Sequence, residues 1–184
     1  MKKLFRGFGA LLTRIGQEVV VLERDEIEAI LFHRGRMLLL DRVILGNDTV
    51  QGQLTITPEL CEGHEPTPGN PVFRGVDIVE MAFQLLGILM AKIPGLADSL
   101  ENKALAAREI VGAKFTGFVV PGDVLCLETP TDVEVDEAAG FARFESSKMT
   151  ATVNGKRKAV VLSVSIAGFS PGLLQKKSQE VSES

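Results

Sequence analysis

Residues 76–92, VDIVEMAFQLLGILMAK, are apolar at nearly every position. A helix of that composition cannot lie on a surface with one side in water, so other parts of the chain must wrap it on most sides. At about 100° per residue, Asp77, Glu80 and Gln84 fall in one narrow stripe that Gly87 continues. A polar line therefore runs along a helix that the rest of the fold has to bury. It can cap and bond neighbouring backbone, or it can carry chemistry.

The flanking sequence supplies strands for the wrapping. RDEIEAILF reads as a short helix, and RMLLLDRVILGNDTVQGQLTIT as two strands joined near Gly46-Asn47-Asp48. Residues 57–74 form a long connection rich in Pro and Gly, of a length that in compact domains is often functional. After Pro94-Gly95, the stretches KALAAREIVGAKF, VLCLETPTDVEV, FARFESSKMTATV and RKAVVLSVSIAGF are strand-like, with a Pro121-Gly122 turn and an Asn154-Gly155 hairpin signal between them. Consecutive antiparallel strands and one buried helix predict an α+β domain whose sheet curls around that helix.

The 184 residues, 45% of them hydrophobic, suit a single domain with one core. The two ends stand apart from it. Residues 1–23 read as an N-terminal extension that can form a basic amphipathic helix through residue 16, with Leu4, Phe5, Phe8, Leu11, Leu12 and Ile15 at helical spacing among Lys2, Lys3, Arg6 and Arg14. A frayed or self-docked segment is the favoured reading there, and membrane contact the lesser one. Residues 24–169 form the expected domain, and residues 170–184 a disordered polar tail.

Charge and composition narrow the function. Twenty Lys and Arg against 24 Asp and Glu leave a net charge of −4, and Trp and Tyr are absent, so nucleic acid is not an expected partner. Cys61 and Cys126 stand far apart without a CxxC pattern, which fits a reducing compartment and predicts a cytoplasmic protein. Cys61 with His64 makes at most half a metal site.

His64 is one of only two histidines and opens the long connection that leads into the apolar helix. A carboxyl on a wrapped helix loses hydration, which favours its protonated form, so Glu80 is a candidate general acid and His64 a candidate base. Gly75 lacks a side chain at the helix start, where backbone N–H groups and the helix dipole favour developing negative charge. Base, acid and oxyanion donor together suit proton abstraction beside a carbonyl with loss of a hydroxyl from the next carbon. A turn histidine and a helix-capping carboxylate remain the plainer alternative.

LFHRGRMLLLDRV, then GH followed by PGNPVFRGVDIVEMAFQLLGIL, then KFTGFVVPGDVL resemble, in that order, three signature stretches of the β-hydroxyacyl-acyl carrier protein dehydratases. The resemblance spans about residues 24–169 and implies the hot-dog fold. It implies His64 and Glu80 as the catalytic pair, Gly75 as the backbone donor to the thioester carbonyl, Gln84 one turn beyond the acid as a substrate-binding residue, and Phe83 in the wall of an acyl tunnel. His33 matches a histidine given a structural role and stays outside the catalytic set. The chain departs from the pattern by a two-residue insertion, Glu65-Pro66-Thr67 standing before Pro68-Gly69.

By that resemblance the reaction is dehydration of a (3R)-hydroxyacyl thioester on acyl carrier protein to the trans-2-enoyl thioester, in fatty-acid or related acyl-chain synthesis, with no metal or organic cofactor. A homodimer or trimer of dimers is implied, each site combining the histidine of one protomer with the carboxylate of the other. The competing readings are a catalytically impaired hot-dog protein that binds acyl chains or a partner, and another hot-dog enzyme such as a thioesterase or enoyl isomerase.

Overall fold

The structure is a computed structural model that describes residues 2–5, 19–46, 48–92, 104–131, 133–138, 141–146 and 148–169. Its organising element is helix α2, Gly75–Lys92, which begins at the Arg74-Gly75 junction and buries residues around most of its circumference, from Ile78 to Met90. Ten strands among the described residues form one antiparallel sheet around it: β1 (Lys2–Phe5), β2 (Val20–Glu23), β3 (Arg42–Leu45), β4 (Thr49–Thr55), β5 (Ala104–Phe115), β6 (Val124–Pro130), β7 (Val133–Ala138), β8 (Phe141–Ser146), β9 (Met149–Val153) and β10 (Lys156–Phe169). The short helix α1 is Arg24–Ile30. This is the expected α+β arrangement of a sheet wrapped around a long helix.

The order across the sheet is β2-β3-β4-β6-β9-β10, with β5 on the far side of β10. Beyond its β9 pairing, β10 continues and pairs β8 from Ser165 to Gly168, which carries β8, β7 and β1 as an extension of the same sheet. Alternation explains why these stretches lie flat on the helix: Val43 and Leu45 of β3, Val50 and Leu54 of β4 and Leu125 and Leu127 of β6 all turn inward. β4 approaches α2 so closely at Gly52 that a Cβ there would stand 2.6 Å from Leu40 Cδ2 and 3.2 Å from Leu85 Cδ1. Only glycine lets strand and helix meet at that distance.

Several expectations change in detail. VLCLETPTDVEV and FARFESSKMTATV each divide into two strands, β6 with β7 and β8 with β9, because the chain leaves one partner for another at each break. The later strands are antiparallel but not in chain order, since β9 lies between β6 and β10. Lys2–Phe5, expected to be helical, pair instead with β7. The remainder of that expected helix, residues 6–16, and the tail 170–184 lie outside the described residues. Among the described residues no helix is long and apolar enough to cross a membrane.

The segment between α1 and β3, expected to be strand from Arg36, instead makes one 3-10 turn, Gly35–Met37, and is held at both ends. Glu26 accepts the Glu23 N–H at 3.0 Å to cap α1, and Ile27 anchors that helix in the core. Asp41 accepts from Arg24 Nη1 and from the Thr55 N–H, both at 2.8 Å, which binds the start of α1 to the end of β4. Leu38, Leu39 and Leu40 are buried between these ties. This frame presents His33, Met37 and Leu39 to one side of α2.

Candidate active site

His64 sits at the end of a short 3-10 turn, Pro58–Cys61, and the chain fixes it from several directions. Its N–H donates to the Cys61 carbonyl at 3.0 Å, and its own carbonyl accepts the Val72 N–H at 3.0 Å. Its ring Nδ1 stands 2.8 Å from the Val72 carbonyl. A carbonyl can only accept, so Nδ1 carries the hydrogen and Nε2 keeps the basic lone pair. Phe73 N–H in turn donates to the Val119 carbonyl at 2.8 Å, tying this connection to the segment after β5.

These ties surround a largely apolar cavity of about 470 Å³, lined by His64, Val72, Phe73, Gly75 and Ile78 on one side and residues 115–119 on the other. Gly75 is the first residue of α2, whose opening N–H groups have no partner within the helix. A Cβ at Gly75 would stand 3.0 Å from the Phe115 ring, so the missing side chain keeps the cavity open beside those donors.

Glu80 lies elsewhere. Five residues beyond Gly75, it falls about 140° around the helix from it, and it borders a separate cavity of about 140 Å³ with Arg36, Leu60, Arg74 and Asp77. No hydrogen bond or ion pair joins it to His64. Its carboxylate Oε1 instead stands 3.2 Å from His33 Nε2 and accepts from Gln84 Nε2 at 3.0 Å. His33 is mostly buried, with Phe32 stacked on its ring at a centroid distance of 4.2 Å.

Gln84 is only 1% exposed, and the protein occupies its amide completely. Oε1 accepts the Leu39 N–H at 2.8 Å, while Nε2 donates to the Met37 carbonyl at 2.8 Å and to Glu80. Gln84, expected among the substrate-binding residues, has its amide bonded to Leu39, Met37 and Glu80 within this protomer. Phe83 packs half-buried against the core and lines neither of these two cavities. His33, set aside in the sequence, is the missed neighbour of Glu80. Its stretch has no periodicity, and its partner is 47 positions later (80 − 33).

Two charged groups near the site are also accounted for. Arg74 makes a bidentate pair with Asp77, Nε to Oδ2 and Nη2 to Oδ1 both at 2.8 Å, so the Asp77 charge at the start of α2 is neutralised. The pair raises the Arg74 guanidinium further above its ordinary range. Burial, and after it the Asp77 charge, pushes the Cys61 thiol up, which keeps it neutral beside His64. Among the described residues no three His, Cys, Asp or Glu side chains gather as a metal site.

Residues 31–159 match the FabA-like domain family. The chain is 37% identical over 141 residues to the 3-hydroxyacyl-[acyl-carrier-protein] dehydratase FabZ of Ligilactobacillus salivarius, covering 74% of this chain and 92% of that protein. It is 35% identical over 140 residues to FabZ of Clostridium acetobutylicum, covering 74% and 91%. Among solved structures, a dehydratase heterocomplex, ApeI:P from Xenorhabdus doucetiae, superposes with a TM-score of 0.55 at 18% identity over 81% of this chain and 95% of that one. The fluoroacetyl-CoA thioesterase FlK superposes with a TM-score of 0.51 at 12% identity over 72% and 93%. The structural likenesses carry the hot-dog fold alone, which dehydratases and thioesterases share. The sequence likenesses go further, and on them the chain belongs to the FabA-like domain family.

Proposed function

We propose that the protein dehydrates 3-hydroxyacyl thioesters carried on acyl carrier protein to trans-2-enoyl thioesters, using His64 as base and Glu80 as acid. The observation that carries this reading is the His64 ring: Nδ1–H is committed to the Val72 carbonyl at 2.8 Å, which leaves a basic Nε2 at an apolar cavity beside the start of α2. In the forward reaction Nε2 takes a proton from the carbon next to the thioester carbonyl. The N–H groups at Gly75 stabilise the negative charge that develops on the carbonyl oxygen. The electron pair forms the new double bond, and the hydroxyl on the next carbon leaves as water with a proton from Glu80. Return of the proton from His64 to solvent and of one from solvent to Glu80 completes the cycle.

One protomer sets these two groups at different cavities with no bond between them, so the reading calls for a homodimer in which each site joins His64 of one protomer to Glu80 of the other. Two features support that assembly. β5 pairs only β10 among the described residues, which leaves its other edge open, and Ile110 and Val111 on that strand are 51% and 59% exposed. Val76, at the helix start, and Phe118, beside the larger cavity, are likewise exposed. A second copy covering this edge would bury all four side chains and continue the sheet.

The test is direct. Purified protein is given crotonyl or longer enoyl thioesters, whose conjugated absorbance falls as water adds across the double bond. Free thiol released in step with that fall would identify a thioesterase and reject the dehydratase reading.

A further inference from the structure

We propose that His33 is a positioning residue for the acid, acting as a neutral Nε2–H donor that shares Glu80 Oε1 with Gln84 and so leaves Oε2 as the oxygen that delivers the proton. This rests on Glu80 acting as the acid, as argued above. It begins with Gln84, whose orientation is set by bonds away from the site: the Leu39 N–H can donate only to an oxygen, so Gln84 Oε1 faces Leu39 and Nε2 faces Met37 O and Glu80 Oε1. Glu80 Oε1 therefore accepts from Gln84 Nε2.

His33 approaches the same oxygen at 3.2 Å through Nε2. If Nε2 carried no hydrogen, a neutral ring would carry it on Nδ1, which is buried without an acceptor among the described residues, so the geometry calls for a hydrogen on Nε2. The other ring nitrogen then settles the charge. His33 Nδ1 is buried and has no hydrogen-bond partner among the described residues. A doubly protonated ring would bury an N–H without an acceptor, whereas the neutral Nε2–H tautomer leaves only an unfilled lone pair there. Phe32 stacked on the ring face keeps the imidazole in the plane that reaches Glu80.

Two donors on Oε1 occupy both of its lone-pair directions, so the proton of the acid form belongs on Oε2. The charged groups around Glu80 do not supply such a fixed donor. Of those bordering its cavity, Arg36 pairs with Glu62 and Arg74 with Asp77, while Glu59 and Asp77 are themselves acids. His33 and Gln84 thus hold the carboxyl in one orientation from two different segments.

The experiment compares wild type, His33→Leu, which removes the donor, and His33→Gln, which keeps an N–H donor at similar reach. With enoyl thioesters, His33→Leu is expected to lower kcat about 10- to 100-fold, the worth of one hydrogen bond to a charged group, with KM changed by less than about threefold. His33→Gln is expected to recover most of that loss. In parallel, 15N NMR of the wild-type imidazoles at neutral pH is expected to show His33 neutral with hydrogen on Nε2. Equal kcat in His33→Leu and wild type, equal damage in both variants, an Nδ1–H tautomer, or a doubly protonated ring would each overturn the assignment. The NMR readout needs no turnover, so a protein that hydrates nothing would end the dehydratase reading while this assignment is still decided by the tautomer.

Discussion

His64 and Val72 are joined twice, by the Val72 N–H to the His64 carbonyl at 3.0 Å and by the His64 ring to the Val72 carbonyl at 2.8 Å. The loop of residues 65–71 lies wholly between them. It closes on itself: the Gly69 N–H donates to the Glu65 carboxylate at 3.2 Å, the Asn70 N–H donates to the Thr67 carbonyl at 2.9 Å, and Asn70 Nδ2 reaches Pro68 O at 3.1 Å. The His64 anchors lie outside these loop bonds. Glu65→Ala, which loosens the loop at an exposed hydrogen bond, is accordingly expected to cost less than about 1 kcal/mol of stability and to change hydration kcat by less than about threefold. A tenfold loss in the hydration assay would show that the loop does hold His64.

His64→Ala and Glu80→Gln are each expected to lower hydration kcat by about 10²- to 10⁴-fold while leaving the fold intact, since each removes one proton-transfer partner. Far-UV circular dichroism and the unfolding midpoint check the fold, and the loss of conjugated absorbance checks the rate. Wild-type turnover in either variant would remove that residue from the mechanism.

The helix of residues 75–92 and its polar stripe were legible because burial on nearly all sides leaves a continuous apolar run, and few structures accommodate one. His64 and Gly75 were legible as well, being local to that helix and its entry. His33 was not, because what matters about it is one contact made across the fold by a residue in irregular backbone. The separation of His64 from Glu80 could have been read from the helical angle between Gly75 and Glu80, but only once the cavity was known to lie against Gly75. The strand ends at Pro130 and Ser146 were hidden because strand-forming residues continue beyond both, and the change of partner is a long-range event.

Gln84→Met keeps the volume of the side chain and removes its amide. The Leu39 N–H and the Met37 carbonyl would then be buried without this partner, and Glu80 would lose a donor. Unfolding by urea is expected to show a loss of about 2 to 4 kcal/mol, more than an exposed amide would give, because unsatisfied buried groups cost about 1 to 3 kcal/mol each. A loss below about 0.5 kcal/mol would mean that water replaces the amide there.

The open edge of β5 gives an assembly test. Ile110→Lys with Val111→Lys puts two charges on an exposed apolar edge of a long strand, which costs the isolated protomer little and opposes pairing with a second copy. Sedimentation or light scattering is expected to show a monomer, and hydration activity is expected to fall with it. A monomer that retains full activity would mean that both groups act within one chain.

The shared site has a sharper test in subunit exchange between two inactive proteins, His64→Ala and Glu80→Gln. In a mixed dimer the intact His64 of the Glu80→Gln chain meets the intact Glu80 of the His64→Ala chain at one site, while the other site carries both lesions. Random exchange at equal amounts makes about half of the dimers mixed, and one working site of two in each gives about one quarter of wild-type activity. If both residues of a site came from one chain, every site would keep a lesion. With exchange verified by mass spectrometry, mixing would then restore nothing. The geometry favours recovery: His64 lines a cavity with Gly75 and Ile78, while Glu80 borders another and is bonded to Gln84 and paired with His33.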